Sequence, residues 1–571
     1  MNWDLSVFYK GFDDEAFKRD LGTLTERCHA FRDHIAQGAS LESLVGELES
    51  LARTVDRLAY IYLTLACDAS HPQANASMNQ YMLASMELEQ ASNAFSRHLA
   101  ALPDLEAQIA GSEMLSARAF ALRDACTSAQ HMLPESLESW MLRLSISGGE
   151  AFSQLRDKLD ATLLVDYRGE QLPLSAVRAK AYDADPDVRR EAYEAEIKSY
   201  DKVSLPMSYC LNSIKAEART MSEAMGYSSV LERTLAQSRL SRKTLDAMFA
   251  AINEALPAFR KYLRHKAEML GHKDGLPFYD LFAPLGSVTR TYTVAEARGL
   301  LVREMGKFSP AMGQFIDHAF ENNWIDMFPR PGKSGGAFCS PNHEMGISRI
   351  MTNFAGSLSD VSTLAHELGH AWNEECMKGL PSMMTSTPMP LAETASIFNE
   401  TLLSHILKQS ASREELITLL DGDLAESTQT IVDITSRYLF ENAVVDADHP
   451  LSVEELCAAM LDAQDKTYGE GLDKNVRHPY MWACKSHYYS PGLNFYNFPY
   501  AFGCLFGKGL FMRYLKEGEA FVPVYNQLLR SFGSGTIEEV AASVGLDVTD
   551  VAFWRDSLQC ITDEIEEFVK L

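Results

Sequence analysis

The stretch "STLAHELGHAWNEEC", residues 362–376, carries two histidines four positions apart, with a glutamate directly after the first. Residues i and i+4 share one face of an α-helix, so His366 and His370 can point at the same ion. Neutral imidazoles are ordinary zinc ligands, and Glu367 has the position of the general base in zinc sites built on this motif. The alternative is that both histidines satisfy polar groups in a protein core. The His-Glu-x-x-His pattern favours zinc.

Signals on both sides of the motif predict that it lies in a helix. Ser357 and Asp360 are typical of a capping box at the start, and Lys378 and Gly379, followed by a proline, are typical of a stop. Gly369 inside this helix costs ~1 kcal/mol of helix propensity relative to alanine. We therefore expect another segment of the chain to approach the helix closely near the metal at this glycine.

A third metal ligand is needed, and the residues just beyond the motif do not supply it. A metzincin would have glycine and histidine at positions 373 and 376, where this chain has Asn373 and Cys376. Glu374 continues the i+4 row, but it lies ~12 Å along the helix axis from His366 at a rise of ~1.5 Å per residue. Three residues in a straight row cannot converge on one ion. The third ligand must therefore come from a second helix.

The segment "TPMPLAETASIFNETLLSHILK", residues 387–408, is the candidate for that second helix. Pro390 marks its first turn, and the helical pattern continues through Leu402. We predict that Glu393 is the third ligand, and Glu400 is a candidate to hold a ligand histidine by a hydrogen bond. The alternative is that both glutamates are solvated surface acids. The small residues around Glu393 suit close packing better than a solvated face.

Helical periodicity dominates the rest of the chain. Apolar residues at i, i+3, i+4 and i+7 predict long packed helices in residues 1–155. Residues 160–175 break this pattern and predict a β-hairpin around an Arg-Gly turn. Residues 328–360 are rich in glycine and proline and contain two short strand candidates, 336–339 and 348–354. The predicted fold class is mainly α, with a small β-sheet beside the zinc-binding helix.

The composition excludes several kinds of partner and location. A formal net charge of −26 argues against a nucleic-acid partner, because phosphate binding needs a basic face. The longest apolar run, residues 58–67, is too short to span a bilayer, and the N-terminus lacks the apolar run of a signal peptide. The ten cysteines are scattered without a CxxC pair, which is typical of a reduced cytosolic protein. We expect a cytoplasmic protein with no membrane partner.

Two of these stretches, "AHELGHAWN" (365–373) and "LAETASIFNE" (391–400), resemble the zinc region of the thimet oligopeptidase and oligoendopeptidase F family, and the oligoendopeptidase F branch more closely. The resemblance covers essentially the whole chain and includes "SHYYSPGLNFYNFPYAFG" (486–503). It implies two helical lobes that enclose a deep channel. We expect an N-terminal helical lobe at residues 1–200 and a catalytic zinc metallopeptidase domain at residues 201–571.

The resemblance implies hydrolysis of internal peptide bonds in short oligopeptides, which are the expected partners. It implies one Zn²⁺ per chain, held by His366, His370 and Glu393, with Glu367 as the base for an activated water. Two alternatives stay open: a zinc exopeptidase, and a peptide-binding protein with a degenerate site. An exopeptidase needs a group that holds a free terminus, and the sequence reveals none. A degenerate site would most simply have lost Glu367.

A C-terminal loop completes the site in this family, where one histidine and tyrosines stabilise the oxyanion. The matching residues are His487, Tyr496 and Tyr500, to which we assign catalytic roles. We expect the other aromatic residues of the loop to pack in a core: Tyr488, Tyr489, Phe495 and Phe498. We also expect the substrate backbone to add a strand to the sheet edge formed by residues 348–354.

Overall fold

The computed structural model describes residues 2–286 and 290–571, and α-helices dominate them. The described residues form 27 α-helices and five short β-strands, which confirms the mainly α fold class. The first nine helices are α1 (Glu15–Ala36), α2 (Leu41–Leu58), α3 (Tyr60–Cys67), α4 (Pro72–Ala101), α5 (Leu105–Gly111), α6 (Glu113–Ser116), α7 (Ala119–Ala129), α8 (Glu135–Ser147) and α9 (Gly149–Thr162).

The first two of these helices begin at side chains that satisfy free N–H groups of the first turn. Asp14 and Ser40 accept hydrogen bonds from the first turns of α1 and α2. The apolar faces of α1, α2 and α4 then pack together, and Leu24, Phe31 and Phe95 are buried between them. The helical periodicity of this region therefore produces a core of its own.

The predicted hairpin is present as strands β1 (Leu164–Tyr167) and β2 (Glu170–Pro173), which pair antiparallel. Its two-residue turn consists of Arg168 and Gly169, with φ of 50° and 84°. Positive φ at both positions is the geometry that matches the twist of a hairpin, and glycine adopts it without a Cβ clash.

The remaining helices run from the hairpin to the C-terminus. None of the helices in the described part of the chain is long and apolar enough to cross a membrane. They are α10 (Leu174–Arg178), α11 (Pro186–Ser199), α12 (Ser204–Ala224), α13 (Val230–Gln237), α14 (Arg242–Met269), α15 (Val294–Phe308), α16 (Pro310–Glu321), α17 (Leu358–Met377), α18 (Met389–Ala392), α19 (Thr394–Ser410), α20 (Arg413–Ser427), α21 (Ile434–Val445), α22 (Val453–Tyr468), α23 (Met481–Cys484), α24 (Phe498–Glu517), α25 (Phe521–Arg530), α26 (Ile537–Ala542) and α27 (Val551–Phe568).

A three-stranded sheet lies directly before α17 and packs against it. Its strands are β3 (Ile325–Asp326), β4 (Phe338–Asn342) and β5 (Ile347–Met351), in the order β3-β5-β4. β5 pairs parallel with β3 and antiparallel with β4. The small sheet is therefore where the sequence predicts it, but the expectation that residues 348–354 form its edge is wrong. Both sides of β5 are occupied, and β4 is the edge strand beside the zinc motif.

Three hydrophobic cores hold the described helices together. The first is built from residues before position 123 together with Met351 of the sheet. The second joins residues 163–214 to residues 440–489, so it links the hairpin region with the start of the C-terminal loop. The third and largest surrounds α17, α19 and α24. The domain bounds 1–200 and 201–571 stay a prediction.

Candidate metal centre and active site

The zinc motif lies on α17, and the capping box that the sequence predicts fixes the first turn of this helix. Ser357 Oγ accepts a hydrogen bond from the Asp360 N–H at 3.1 Å, and Asp360 Oδ2 accepts one from the Ser357 N–H at 2.9 Å. The helix ends at Met377, and Gly379 follows with a φ of 79°. The regular helix between these ends places both motif histidines on one face.

Gly369 marks the closest approach between α17 and α19. A Cβ added at Gly369 would lie 2.6 Å from both the carbonyl oxygen of Ala395 and the Cα of Ser396. These are backbone atoms, which cannot turn away as a side chain can. The expected close approach of another segment is therefore present, and it brings the residues just after Glu393 against the motif helix.

Three side chains from α17 and the α18–α19 junction converge on one point. Glu393 Oε2 lies 3.2 Å from His366 Nε2 and 3.4 Å from His370 Nε2. The two histidine Nε2 atoms lie 3.2 Å apart. Among the described residues, this group is the one whose histidine, cysteine or carboxylate atoms come close enough to hold a metal ion. We call His366, His370 and Glu393 the metal triad.

The separations within the metal triad fit zinc. Zinc–nitrogen and zinc–oxygen bonds of ~2.0–2.2 Å in a tetrahedron place neighbouring ligand atoms ~3.3–3.6 Å apart. The three observed separations are 3.2, 3.2 and 3.4 Å. Two imidazole nitrogens and one carboxylate oxygen are also a donor set that catalytic zinc uses, and such a set leaves one position for water or substrate.

The sequence analysis predicts one continuous helix in residues 387–408, with Glu393 inside it. The structure differs, because the helix is broken at Glu393. α18 ends at Ala392 and α19 begins at Thr394, with Glu393 between them at φ −87° and ψ 0°. This conformation is outside the regular helical region and is common at functional residues. Ser396 Oγ donates hydrogen bonds to the Glu393 carbonyl and to its Oε2. The break, held by Ser396, directs the carboxylate toward the histidines.

Glu400 contacts the other nitrogen of the first motif histidine. Its Oε2 lies 3.2 Å from His366 Nδ1, so a hydrogen bond there leaves Nε2 of His366 facing Glu393. Burial opposes the charged form of His366, but the hydrogen bonds to Glu393 and Glu400 outweigh it and raise the pKa of His366 to about 10. The metal-free triad therefore carries a proton that a metal ion would displace.

Glu367 lies on the wall of a cavity that also contains the metal triad. The cavity has a volume of about 330 Å³ and lies between α17 and β4, whose Phe338 and Cys339 line it. Glu367 is 5% exposed, and its Oε2 has no hydrogen-bond partner among the described residues. Burial raises the pKa of Glu367 above its usual value. A raised pKa makes this carboxylate a stronger base, which suits it to accept a proton from water.

His487, Tyr496 and Tyr500 form one cluster. Their ring centroids are 5.1 Å apart for His487 and Tyr496, 6.0 Å for His487 and Tyr500, and 5.5 Å for the two tyrosines. Burial lowers the pKa of His487, and the charges of Arg437 and Lys485 lower it further. Burial raises the pKa of Tyr500, and Tyr496 adds to this effect. At neutral pH the cluster therefore offers a neutral imidazole and a tyrosine hydroxyl that keeps its proton.

Two glycines of α24 bring this cluster to the metal triad. A Cβ added at Gly503 would lie 3.1 Å from Glu393 Cβ, and one added at Gly507 would lie 3.1 Å from the Thr394 carbonyl. The negative charge of Glu393 also contributes to the raised pKa of Tyr500, so the Glu393 carboxylate and the Tyr500 hydroxyl interact electrostatically. The sequence interpretation missed both glycines. Their spacing of four in a helix was the available signal, because it lets another backbone approach along one face.

The remaining aromatic residues of the loop are in the core, as expected: Tyr488, Tyr489, Phe495 and Phe498 are each at most 1% exposed. Phe495 has a φ of 53°, in the left-handed region that residues other than glycine rarely adopt. This conformation turns the chain immediately before Tyr496. The loop therefore needs support from neighbouring elements.

A buried polar network supplies that support, and the sequence interpretation missed it. Glu441 Oε1 accepts hydrogen bonds from the Phe495 N–H at 3.0 Å and from Lys215 Nζ at 2.6 Å. Its Oε2 accepts one from Asn497 Nδ2 at 3.0 Å, and Lys215 Nζ also donates to Asn494 Oδ1 at 2.9 Å. Residues on both sides of Tyr496 are thus tied to one buried carboxylate.

A family model described as Peptidase family M3 matches residues 179–299 and 302–560, which together are more than half of the chain. The second range contains the metal triad, the glutamate between its histidines, and the C-terminal cluster. The match therefore includes every candidate site residue that the sequence predicts.

Curated relatives and solved structures agree with this match. An oligoendopeptidase F homolog of Lactococcus lactis is 26% identical over 395 residues, which are 67% of this chain and only 64% of that protein's own length. The group B oligopeptidase PepB of Streptococcus agalactiae is 23% identical over 599 residues, covering 100% of this chain and 96% of that protein. A crystal structure from Chlamydophila abortus has a TM-score of 0.85 at 23% identity and covers 100% of this chain and 98% of its own, so the two share a fold.

Proposed function

Because this chain belongs to peptidase family M3, we propose that it is a zinc metalloendopeptidase that hydrolyses internal peptide bonds of short oligopeptides. The observation that carries this proposal is the convergence of His366, His370 and Glu393, with buried Glu367 on the wall of the same cavity. The metal triad would hold one zinc ion. The general base and the oxyanion donors would come from residues around it.

Glu367 is the proposed proton carrier of the reaction. Bound zinc supplies a Lewis acid that polarises the scissile carbonyl and lowers the pKa of a water molecule. Glu367 accepts the proton of that water and later donates it to the nitrogen of the leaving amine. The lack of a structural hydrogen bond to its Oε2 supports this role. Glu400 orients His366 through Nδ1 and so keeps the histidine ring fixed during the reaction.

Tyr500, Tyr496 and His487 are the proposed donors to the oxyanion. The carbonyl oxygen becomes negatively charged when water adds to its carbon, and a preorganised donor stabilises that charge. Tyr500 is the first candidate because burial holds its hydroxyl in the protonated form and because Glu393 lies within electrostatic reach. Tyr496 is the second, and His487 contacts both rings.

The edge strand β4 is the proposed support for the substrate backbone. Phe338 and Cys339 of β4 line the cavity that holds the metal triad. An extended peptide can pair with such an edge through main-chain hydrogen bonds, which are independent of side-chain identity. A segment that is held in a helix of a folded protein cannot make these bonds. We therefore propose that substrates are short and flexible.

We also propose a cytoplasmic location. All ten cysteines lie in the described part of the chain and are unpaired. Free thiols in this number are usual where the cell keeps them reduced.

A blocked peptide of about ten residues, acetylated at one end and amidated at the other, tests the proposed activity. We expect internal cleavage, with both fragments visible by mass spectrometry. Cleavage only after one end is freed would identify a zinc exopeptidase instead. Binding of the peptide by a zinc-loaded protein without any cleavage would identify a peptide-binding protein with a degenerate site.

A further inference from the structure

A second cavity lies beside Lys485, directly before the C-terminal loop. It has a volume of about 280 Å³ and is bounded by α10, α11, α23 and the start of the loop. An adjoining cavity of about 440 Å³ shares Tyr182, Phe282 and Gln429 with it. The smaller cavity has aromatic and charged walls: Arg178, Tyr182, Arg189, Tyr193, Glu196, Phe278, Phe282 and Lys485.

Most charges on this wall are matched by partners within the protein. Arg189 Nε lies 2.7 Å from Asp280 Oδ1, and both side chains are buried. Arg178 Nε lies 3.6 Å from Glu196 Oε1, which is also 3.2 Å from His478 Nε2. These pairs leave little net charge on their part of the wall.

Lys485 is the exception. Lys485 is only partly exposed to water. Even so, none of the ion pairs in residues 2–286 and 290–571 includes it. Burial lowers the pKa of Lys485, and the charge of Arg437 lowers it further. Asp433 lies within electrostatic reach, but its carboxylate is already paired with Arg437. A lysine withdrawn from water without a counter-ion destabilises the fold, so a use for it is expected.

The position of Lys485 connects it to the proposed reaction. It lies two residues before His487, and its charge contributes to the lowered pKa of that imidazole. A group bound at Lys485 is therefore close to the loop that carries the oxyanion donors. The aromatic side chains Tyr182, Tyr193 and Phe282 would contact the apolar part of such a group.

We propose that Lys485 binds a carboxylate of the peptide substrate in this cavity. This inference rests on the proposed peptidase function and deepens it. The edge strand β4 would recognise only the substrate backbone, whereas Lys485 would add a preference for substrates with a negative charge. The carboxylate is either the free C-terminus of the peptide or an acidic side chain. The charge-assisted hydrogen bond to the ammonium group provides the selectivity, and the aromatic walls accept the neighbouring side chain. A fixed carboxylate site also limits where along a peptide the cut can fall.

Four peptides of one parent sequence test this assignment. One pair differs only in a free or amidated C-terminus, and the other differs only in an internal glutamate or glutamine. We expect the wild-type kcat/KM to favour the carboxylate form of one pair by about 10- to 100-fold, the usual value of a hydrogen bond between charged groups. The pair that shows the preference identifies the source of the carboxylate.

Lys485→Met should abolish that preference, since it keeps the length of the side chain and removes the charge. Lys485→Gln is the second variant and tests the same loss with a polar side chain, and thermal unfolding checks that both are folded. Lys474→Met, at an exposed lysine in the preceding turn, is the matched control and should keep the wild-type ratio. A wild-type enzyme without a carboxylate preference, or a Lys485 variant that retains it, overturns the assignment. A zinc-loaded wild type that cleaves none of the four peptides overturns the proposed function and this assignment with it.

Discussion

Lys215 Nζ lies 2.6 Å from Glu441 Oε1, and the two side chains are only 1% and 0% exposed. The pair joins α12 to α21, and it also holds the backbone N–H of Phe495 and the side chain of Asn497. Tyr496 lies between those two residues. The ion pair therefore determines where one of the proposed oxyanion donors stands, and we consider Lys215 and Glu441 positioning residues.

Glu441→Gln should weaken both the fold and the reaction. The amide keeps an acceptor for the Phe495 N–H but leaves the buried Lys215 charge unmatched. Loss of one partner of a buried ion pair costs ~3–5 kcal/mol in the free energy of unfolding. Urea unfolding should show this loss, and kcat should fall more than KM changes, because the loop that carries Tyr496 is less well fixed.

Two further variants separate positioning from general instability. Lys215→Met combined with Glu441→Gln removes both charges, so it should be more stable than Glu441→Gln alone and should recover part of kcat. Glu49→Gln breaks the partly buried pair with Arg118 in the N-terminal core and should lower stability without lowering kcat. If Glu49→Gln and Glu441→Gln reduce kcat equally, Glu441 has no specific role in the loop.

Glu367→Gln should bind zinc normally and lose most activity. An amide is close to the carboxylate in shape, but it cannot accept the proton of the attacking water. Loss of a general base lowers rates by ~10² to 10⁴. Glu375→Gln, on the same helix and paired with Lys378 at its surface, is the control and should leave both zinc content and kcat unchanged. Near-normal turnover by Glu367→Gln would contradict the proposed mechanism.

Tyr500→Phe should lower kcat much more than it changes KM. A neutral carbonyl accepts the tyrosine hydrogen bond weakly, whereas the developing oxyanion accepts it strongly. Loss of one such donor costs ~10² to 10³ in kcat. The ring remains, so its contacts with His487 and Tyr496 and the melting temperature should change little.

Tyr496→Phe is the comparison for this experiment, because the two rings lie against the same histidine. A large kcat loss in Tyr496→Phe alone would exchange the roles of the two tyrosines. Normal kcat in both variants would show that this cluster is structural and that the oxyanion donor lies elsewhere.

Gly369→Ala should weaken zinc binding although position 369 is not a ligand. Its Cβ would lie 2.6 Å from backbone atoms of Ala395 and Ser396, so α17 and α19 would have to separate. Overpacking of this kind costs ~1–3 kcal/mol and would move Glu393 away from the histidines. Competition with a chelator measures the affinity. Gly299→Ala is the control, because a Cβ at that helical position meets open space and should stabilise the fold by up to ~1 kcal/mol.

The features that the sequence predicts well depend on residues close together in the chain. The Ser357–Asp360 capping box, the Arg168–Gly169 turn and the His-Glu-x-x-His spacing each act within a few positions. Their geometry follows from helix and turn rules that need no knowledge of the fold. Glu393 can also be predicted from the sequence, because it lies in the helical segment that directly follows the motif helix.

The features that it does not predict depend on distant partners. Lys215 and Glu441 are 226 positions apart, and no local pattern pairs them. The prediction that residues 348–354 form the sheet edge is wrong, although Pro341 in β4 is a usable signal, since proline in a strand favours an edge. The break at Glu393 depends on the contact of α19 with Gly369 and on the Ser396 hydrogen bonds, so a continuous helix was the natural local prediction.

The zinc content of the purified protein tests the central claim most directly. Elemental analysis of the wild type should find one zinc per chain, held by His366, His370 and Glu393. The variant with alanine at all three positions should contain no stoichiometric zinc, and circular dichroism should show that its helices remain. A folded triple variant that keeps one zinc per chain would contradict the assignment of the metal triad.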